Sequence, residues 1–128
     1  MQRGPELQIR LPEEEMQQYI KFSQEDERLG ENLQKVTAQL ESELVNRRSK
    51  YITRKEVSQY GDDVPVYRTV GKAFILDTTR NTEESLRQDL AKSDQKILKI
   101  KQTGVYIVGQ QDGVRMQINE LLKPFINK

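Results

Sequence analysis

Residues 64–79 read VPVYRTVGKAFILDTT, and how this stretch is taken decides the fold. It is rich in β-branched and aromatic residues and carries Gly71 at its centre, the composition of two short strands around a tight turn. Gly71 and Lys72 as a two-residue loop predict a type II′ turn, because glycine supplies the positive φ which that turn needs at its first position. This register sets Thr69 opposite Phe74 and Tyr67 opposite Leu76 on one face. The other face holds Val66, Arg68, Val70, Ala73, Ile75 and Asp77, so apolar side chains point both ways and neither face is plainly the wet one. A lone two-stranded hairpin is marginal in water. The stretch therefore needs a partner surface, in its own chain or in another.

The chain around it is 128 residues long, with 32% charged and 34% hydrophobic residues and no Trp. That is little apolar surface for a deep globular core and about what a long, narrow coiled coil uses. A formal charge of +1 gives the whole molecule no attraction to nucleic acid or to an anionic membrane. With neither Cys nor His, disulfides, thiolate nucleophiles and nearly all transition-metal sites are excluded, and the usual neutral-pH base is missing. No apolar run approaches a membrane span, and MQRGPELQIRLPEEE at the N-terminus has no secretory h-region, so a soluble, cytoplasmic protein is expected.

Residues 1–11 show no sustained period and read as a flexible tail. Pro12 followed by Glu13, Glu14 and Glu15 marks a helix start: proline is tolerated at the first helical position, and the carboxylates lie at the positive end of the helix dipole. One helix is expected over 12–60. Its clearest seam is Leu29, Leu33, Val36 and Leu40, with Leu44 prolonging it one residue out of register, after which the pattern weakens through the basic run Arg47, Arg48, Lys50, Arg54, Lys55. Gly61, Asp62 and Asp63 end it, and Pro65 opens the hairpin.

A second helix is expected over 80–123, with Asn81 or Thr82 as N-cap and Glu83 and Glu84 in the first turn. Leu86, Leu90, Ser93, Ile97, Ile100, Gly104, Ile107, Gln111, Val114, Ile118, Leu121 and Phe125 alternate steps of four and three, an unbroken heptad seam. Val105 to Val108, taken alone, reads as a strand, but the heptad phase passes straight through it. Pro124 is expected to stop the helix and leave 124–128 as a frayed apolar tip. The fold class that follows is mainly α: a single domain forming a long antiparallel coiled-coil helical hairpin, with equal arms of roughly 70 Å each and the β-hairpin at its closed end.

The run VYRTVGKAFIL, residues 66–76, resembles the hairpin of the prefoldin family, Val-Tyr-x-x-Val-Gly-x-x-Phe-Ile/Val-Leu. A weaker match continues through ESLRQDLAKSDQKILKIKQ, and the chain is most similar to the family's β class. The second arm departs from the family's usual Glu-, Lys- and Leu-rich pattern at TGVYIVGQQDG. The resemblance implies that the hairpins of six subunits assemble into a β-barrel body. Coiled-coil arms project from it as an ATP-independent holdase chaperone, gripping non-native actin, tubulin and similar chains for delivery to a cytosolic chaperonin.

On this reading Val66, Tyr67, Val70, Gly71, Phe74, Ile75 and Leu76 carry assembly with other prefoldin subunits, because a hairpin apolar on both faces, with unpaired edges, calls for partners. Client binding falls to the open tip, with Met16, Ile20 and Phe22 from one arm and Leu122, Phe125 and Ile126 from the other, where loosely packed apolar residues suit many clients. No cofactor, metal, nucleic acid or membrane is expected. The basic run lacks interleaved aromatics beyond Tyr51 and reads as a solvated or subunit-facing surface. No catalytic residues are expected, since paired acids need a partly desolvated pocket and Gly71-Lys72 lacks a phosphate-loop context. The alternative is a structural or adaptor coiled coil that homo-oligomerises through hairpin and seam.

Overall fold

The computed structural model describes residues 10–126; the expected tail before Arg10, Asn127 and Lys128, and the side chain of Val70 lie outside the described residues. The elements are α1 (Glu13–Val57), β1 (Val66–Val70), β2 (Ala73–Asp77) and α2 (Thr79–Ile126). Two long helices joined through an antiparallel β-hairpin are the architecture that the sequence predicts.

Helix α1 begins where the Pro12 carbonyl accepts the Met16 N–H at 2.9 Å. Glu13, Glu14 and Glu15 fill the first turn, where the exposed N–H groups favour negative charge. Leu11 is buried and Met16 half-buried, at the spacing of a hydrophobic staple across a helix start. The last residue of the expected flexible tail is thus packed down. The helix closes at Val57, three residues before the expected end, because the N–H groups of Gln59 and Tyr60 bond to carbonyls three residues back, at Glu56 (3.2 Å) and Val57 (3.0 Å). Such bonds tighten a last turn and stop α-helical propagation.

The hairpin has the predicted register: Thr69 pairs with Phe74 and Tyr67 with Leu76. Gly71 has φ of 62°, and no described non-glycine residue has a positive φ. With Lys72 on the negative side, the turn is type II′. The cap of α2 differs from expectation. The Asn81 N–H donates to Thr78 Oγ1 at 3.1 Å and the Thr82 N–H to the Thr78 carbonyl at 3.0 Å, so Thr78 is the N-cap and neither Asn81 nor Thr82. Leaving β2, Thr78 is still outside the helix, as a cap residue must be. Thr79 is buried, and its hydroxyl lies 3.2 Å from the Gly61 carbonyl and 3.3 Å from that of Val64, which ties the loop before β1 to the start of α2.

Helix α2 runs through both places where the sequence raised doubt. Residues 105–108 are helical with Ile107 buried, so heptad packing overrides local β-propensity. Pro124 does not stop the helix, which continues to Ile126. Near a C-terminus the proline removes a single N–H, and the residues after it still find carbonyl acceptors one turn back.

The contacts divide the chain into two compact units. Unit 1 combines the chain up to Val36 with the chain from Thr103. There Arg115 Nε donates to Asp26 Oδ1 at 3.1 Å, Gly30 faces Gln111 and Gly104 faces Val36, so the helix segments run antiparallel. Unit 2 is Thr37–Gln102 and contains the hairpin. There Ser93 donates to Glu43 Oε1 at 2.7 Å, Arg47 donates to Asp94, and Arg54 lies 4.0 Å from Glu83, again antiparallel.

Candidate assembly and binding surfaces

The two faces of the hairpin are unlike in unit 2. Tyr67, Thr69, Phe74 and Leu76 all stand exposed on one face, with Phe74 at 73% of its full accessibility. On the other, Arg68 Nε lies 3.1 Å from Asp77 Oδ2, Asp77 and Val66 are half-buried, and Ile75 is less exposed than its neighbours on the open face. The face with Tyr67, Phe74 and Leu76 is therefore the unpartnered one. Among the described residues the two strands form a sheet by themselves, so each has an outer edge of unpaired N–H and C=O groups there. Of the residues expected to carry assembly, Tyr67, Phe74, Ile75 and Leu76 are exposed, Val66 is half-buried, and Gly71 shapes the turn.

All twelve expected seam positions of α2 are buried or half-buried. On α1 the buried stripe is longer than the sequence suggested. In unit 1 it passes through Tyr19, Phe22, Asp26, Leu29, Leu33 and Val36, and in unit 2 through Leu40, Glu43, Arg47, Lys50, Arg54 and Val57, every one buried or half-buried. The steps of three and four never break. Leu44, expected to extend the seam, is exposed; Glu43 holds that position and accepts the Ser93 hydroxyl. Four of the six unit 2 positions are charged. A hydrophobic reading loses the seam there, because charged residues carry no hydrophobic period.

In unit 1 the residues expected at the binding tip divide. Met16, Phe22, Leu122 and Phe125 are half-buried, while Ile20 and Ile126 are exposed. Phe22 lines a shallow open groove with Gln18, Gly113, Met116, Gln117, Glu120 and Leu121. Met116, an exposed and flexible apolar side chain beside this groove, was not among the expected residues.

A family model for prefoldin subunits matches residues 13–124. The chain belongs to the prefoldin family. Among solved structures it is similar to the crystal structure of the prefoldin beta subunit from Thermococcus strain KS-1, with a TM-score of 0.80 and 18% identity over 90% of this chain and 97% of that one. At that identity the likeness shows the fold. No curated protein sequence matches the chain. Prefoldin subunits assemble with other prefoldin subunits.

The charges on this prefoldin fold pair both within a helix turn and between the helices. Hydrogen bonds from Arg28 and Arg87 hold the carboxyls of Glu25 and Glu84 below the ordinary carboxylate range, and the bond to Asp94 raises Arg47. All of these groups are in water, so each pair adds little stability. Among the described residues no cluster of acidic side chains is placed to hold a metal ion, and no helix is long and apolar enough to cross a membrane.

Proposed function

We propose that the chain is a β-class prefoldin subunit, most similar to prefoldin subunit 1. It works in the cytoplasm as part of a hetero-hexameric, ATP-independent holdase, which captures unfolded actin, tubulin and similar chains and passes them to a cytosolic chaperonin. The observation that carries this reading is the open hairpin face. Tyr67, Phe74 and Leu76 stand exposed together beside unpaired strand edges, a surface that is costly alone in water and is removed by pairing with other hairpins. Client capture is assigned to the apolar residues of unit 1, with Ile20, Phe22 and Ile126 joined by Met116 and with Met16, Leu122 and Phe125 completing the set.

The test is made on the complex that co-purifies with the tagged chain. Phe74→Asp with Ile75→Asp is expected to abolish the complex on sizing while leaving helicity by circular dichroism nearly intact. Truncation after Glu120 is expected to leave assembly in place and weaken suppression of a model client's aggregation. A normal complex from the hairpin variant would overturn the assembly assignment, and undiminished suppression by the truncated chain would overturn the client site. A chain that forms only a discrete homodimer would favour the adaptor reading.

A further inference from the structure

Helix α1 in unit 2 is turned inside out. Its inward positions are mostly charged, while Leu44, Val45, Tyr51 and Ile52 face solvent, Val45 at 70% of its full accessibility. Leu44 and Val45 recur one heptad later as Tyr51 and Ile52, so the four side chains stack as one stripe to one side of the seam. Arg48 and Lys55 lie four and eleven residues after Leu44, on the same stripe. Among the described residues neither makes an ion pair, whereas Arg47 and Arg54 on the inward side are paired with Asp94 and Glu83. The inward ion pairs are exposed to water and contribute little stability. The apolar area that would ordinarily hold such a helix in place is on its outside.

Resting on the assembly reading above, we infer that this stripe is a second subunit interface, and that a neighbouring prefoldin subunit covers Leu44, Val45, Tyr51 and Ile52 with apolar side chains flanked by carboxylates that pair with Arg48 and Lys55. Two observations choose this occupant. Exposed apolar residues continue from the stripe along the chain, through Tyr60 and Val64, to the open hairpin face in the same compact unit. The charges along the stripe are Glu41, Arg48 and Lys55, net positive, so a covering surface richer in carboxylates than in basic groups suits it.

The experiment is hydroxyl-radical footprinting of the isolated chain and of the complex that co-purifies with it, read by mass spectrometry. Oxidation of Tyr51 and Ile52 is expected to fall several-fold on assembly, together with that of Tyr67 and Phe74. In parallel, Arg48→Gln with Lys55→Gln is expected to speed loss of the subunit from the complex and to flatten its salt dependence, since removing cross-interface charge pairs removes the attraction that salt screens. Protection of Tyr67 and Phe74 with Tyr51 and Ile52 left as reactive as in the isolated chain would overturn this inference and leave the hairpin reading standing. A chain that forms no complex would overturn both. Protection of the stripe in a homodimer of the isolated chain would assign it to a second copy and overturn the proposed occupant.

Discussion

Two segments of α1 carry the same seam in different chemistry. Between Tyr19 and Val36, in unit 1, five of the six inward positions are apolar, the exception being Asp26, which accepts from Arg115. Between Leu40 and Val57, in unit 2, two of six are apolar, and Glu43, Arg47 and Arg54 reach partners on α2 at Ser93, Asp94 and Glu83. The period is identical, so the path of the seam is set by helix geometry and by the regular face of α2, and it does not need apolar residues on both sides. What the chemistry changes is the source of stability. Unit 1 is held by packing around Leu29, at 2% of its accessibility; unit 2 buries Ser93 to the same degree beside a carboxylate and leaves its α1 apolars outside.

Breaking the packed side of this contrast gives the largest effect. Leu29→Ala is expected to destabilise the isolated chain by about 2–5 kcal/mol, through lost burial and a residual cavity. Leu44→Ala is expected to change stability by no more than about 0.5–1 kcal/mol, because its side chain is largely in water. Urea unfolding of the two variants measures the difference directly, and equal losses would remove the distinction between the segments.

Filling the glycines of the packed unit comes next. A Cβ at Gly109 or Gly113 meets no atom within 4 Å and both residues are helical, so each change to Ala is expected to raise stability by about 1 kcal/mol. The same change at Gly71 is expected to destabilise the turn, since its φ of 62° is strained for any residue with a side chain.

The polar seam of unit 2 is tested by a double-mutant cycle. Ser93→Ala alone is expected to cost about 1 kcal/mol by leaving Glu43 without its hydrogen bond. Adding Glu43→Leu is expected to restore that loss, because an apolar pair there has no polar group to satisfy. Additive losses would show that the bond between Ser93 and Glu43 contributes nothing to holding the segments together.

The smallest effect is electrostatic and spans both units. The Glu25 and Glu84 carboxyls titrate lower in the folded chain than in the unfolded one, held down by Arg28 and Arg87. Their contribution is therefore complete at neutral pH and is lost as the pH falls through their folded values, below the ordinary carboxylate range. Glu25→Gln and Glu84→Gln are each expected to leave the neutral-pH midpoint almost unchanged and to reduce the acid sensitivity of unfolding slightly.

Much of this protein is fixed by local chemistry that a sequence displays. Glycine at the first turn position specifies the type II′ hairpin and with it the register from Val66 to Asp77, and twelve evenly spaced positions specify the inward face of α2 before any contact is known. That apolar side chains occupy both faces of the two short strands was also legible. Tertiary structure alone decided which hairpin face stays open: Val66 and Asp77 are half-buried on one, while Tyr67, Phe74 and Leu76 stand exposed on the other. It alone made Thr78 the cap, placed Met116 beside a groove, and carried the α1 seam through Glu43, Arg47, Lys50 and Arg54. For the seam the physical reason lies in the charged side chains. Hydropathy marks a buried position only when its whole side chain is apolar, whereas long charged side chains bury their stems and keep their heads in water, so only their three-dimensional neighbours show that they face inward.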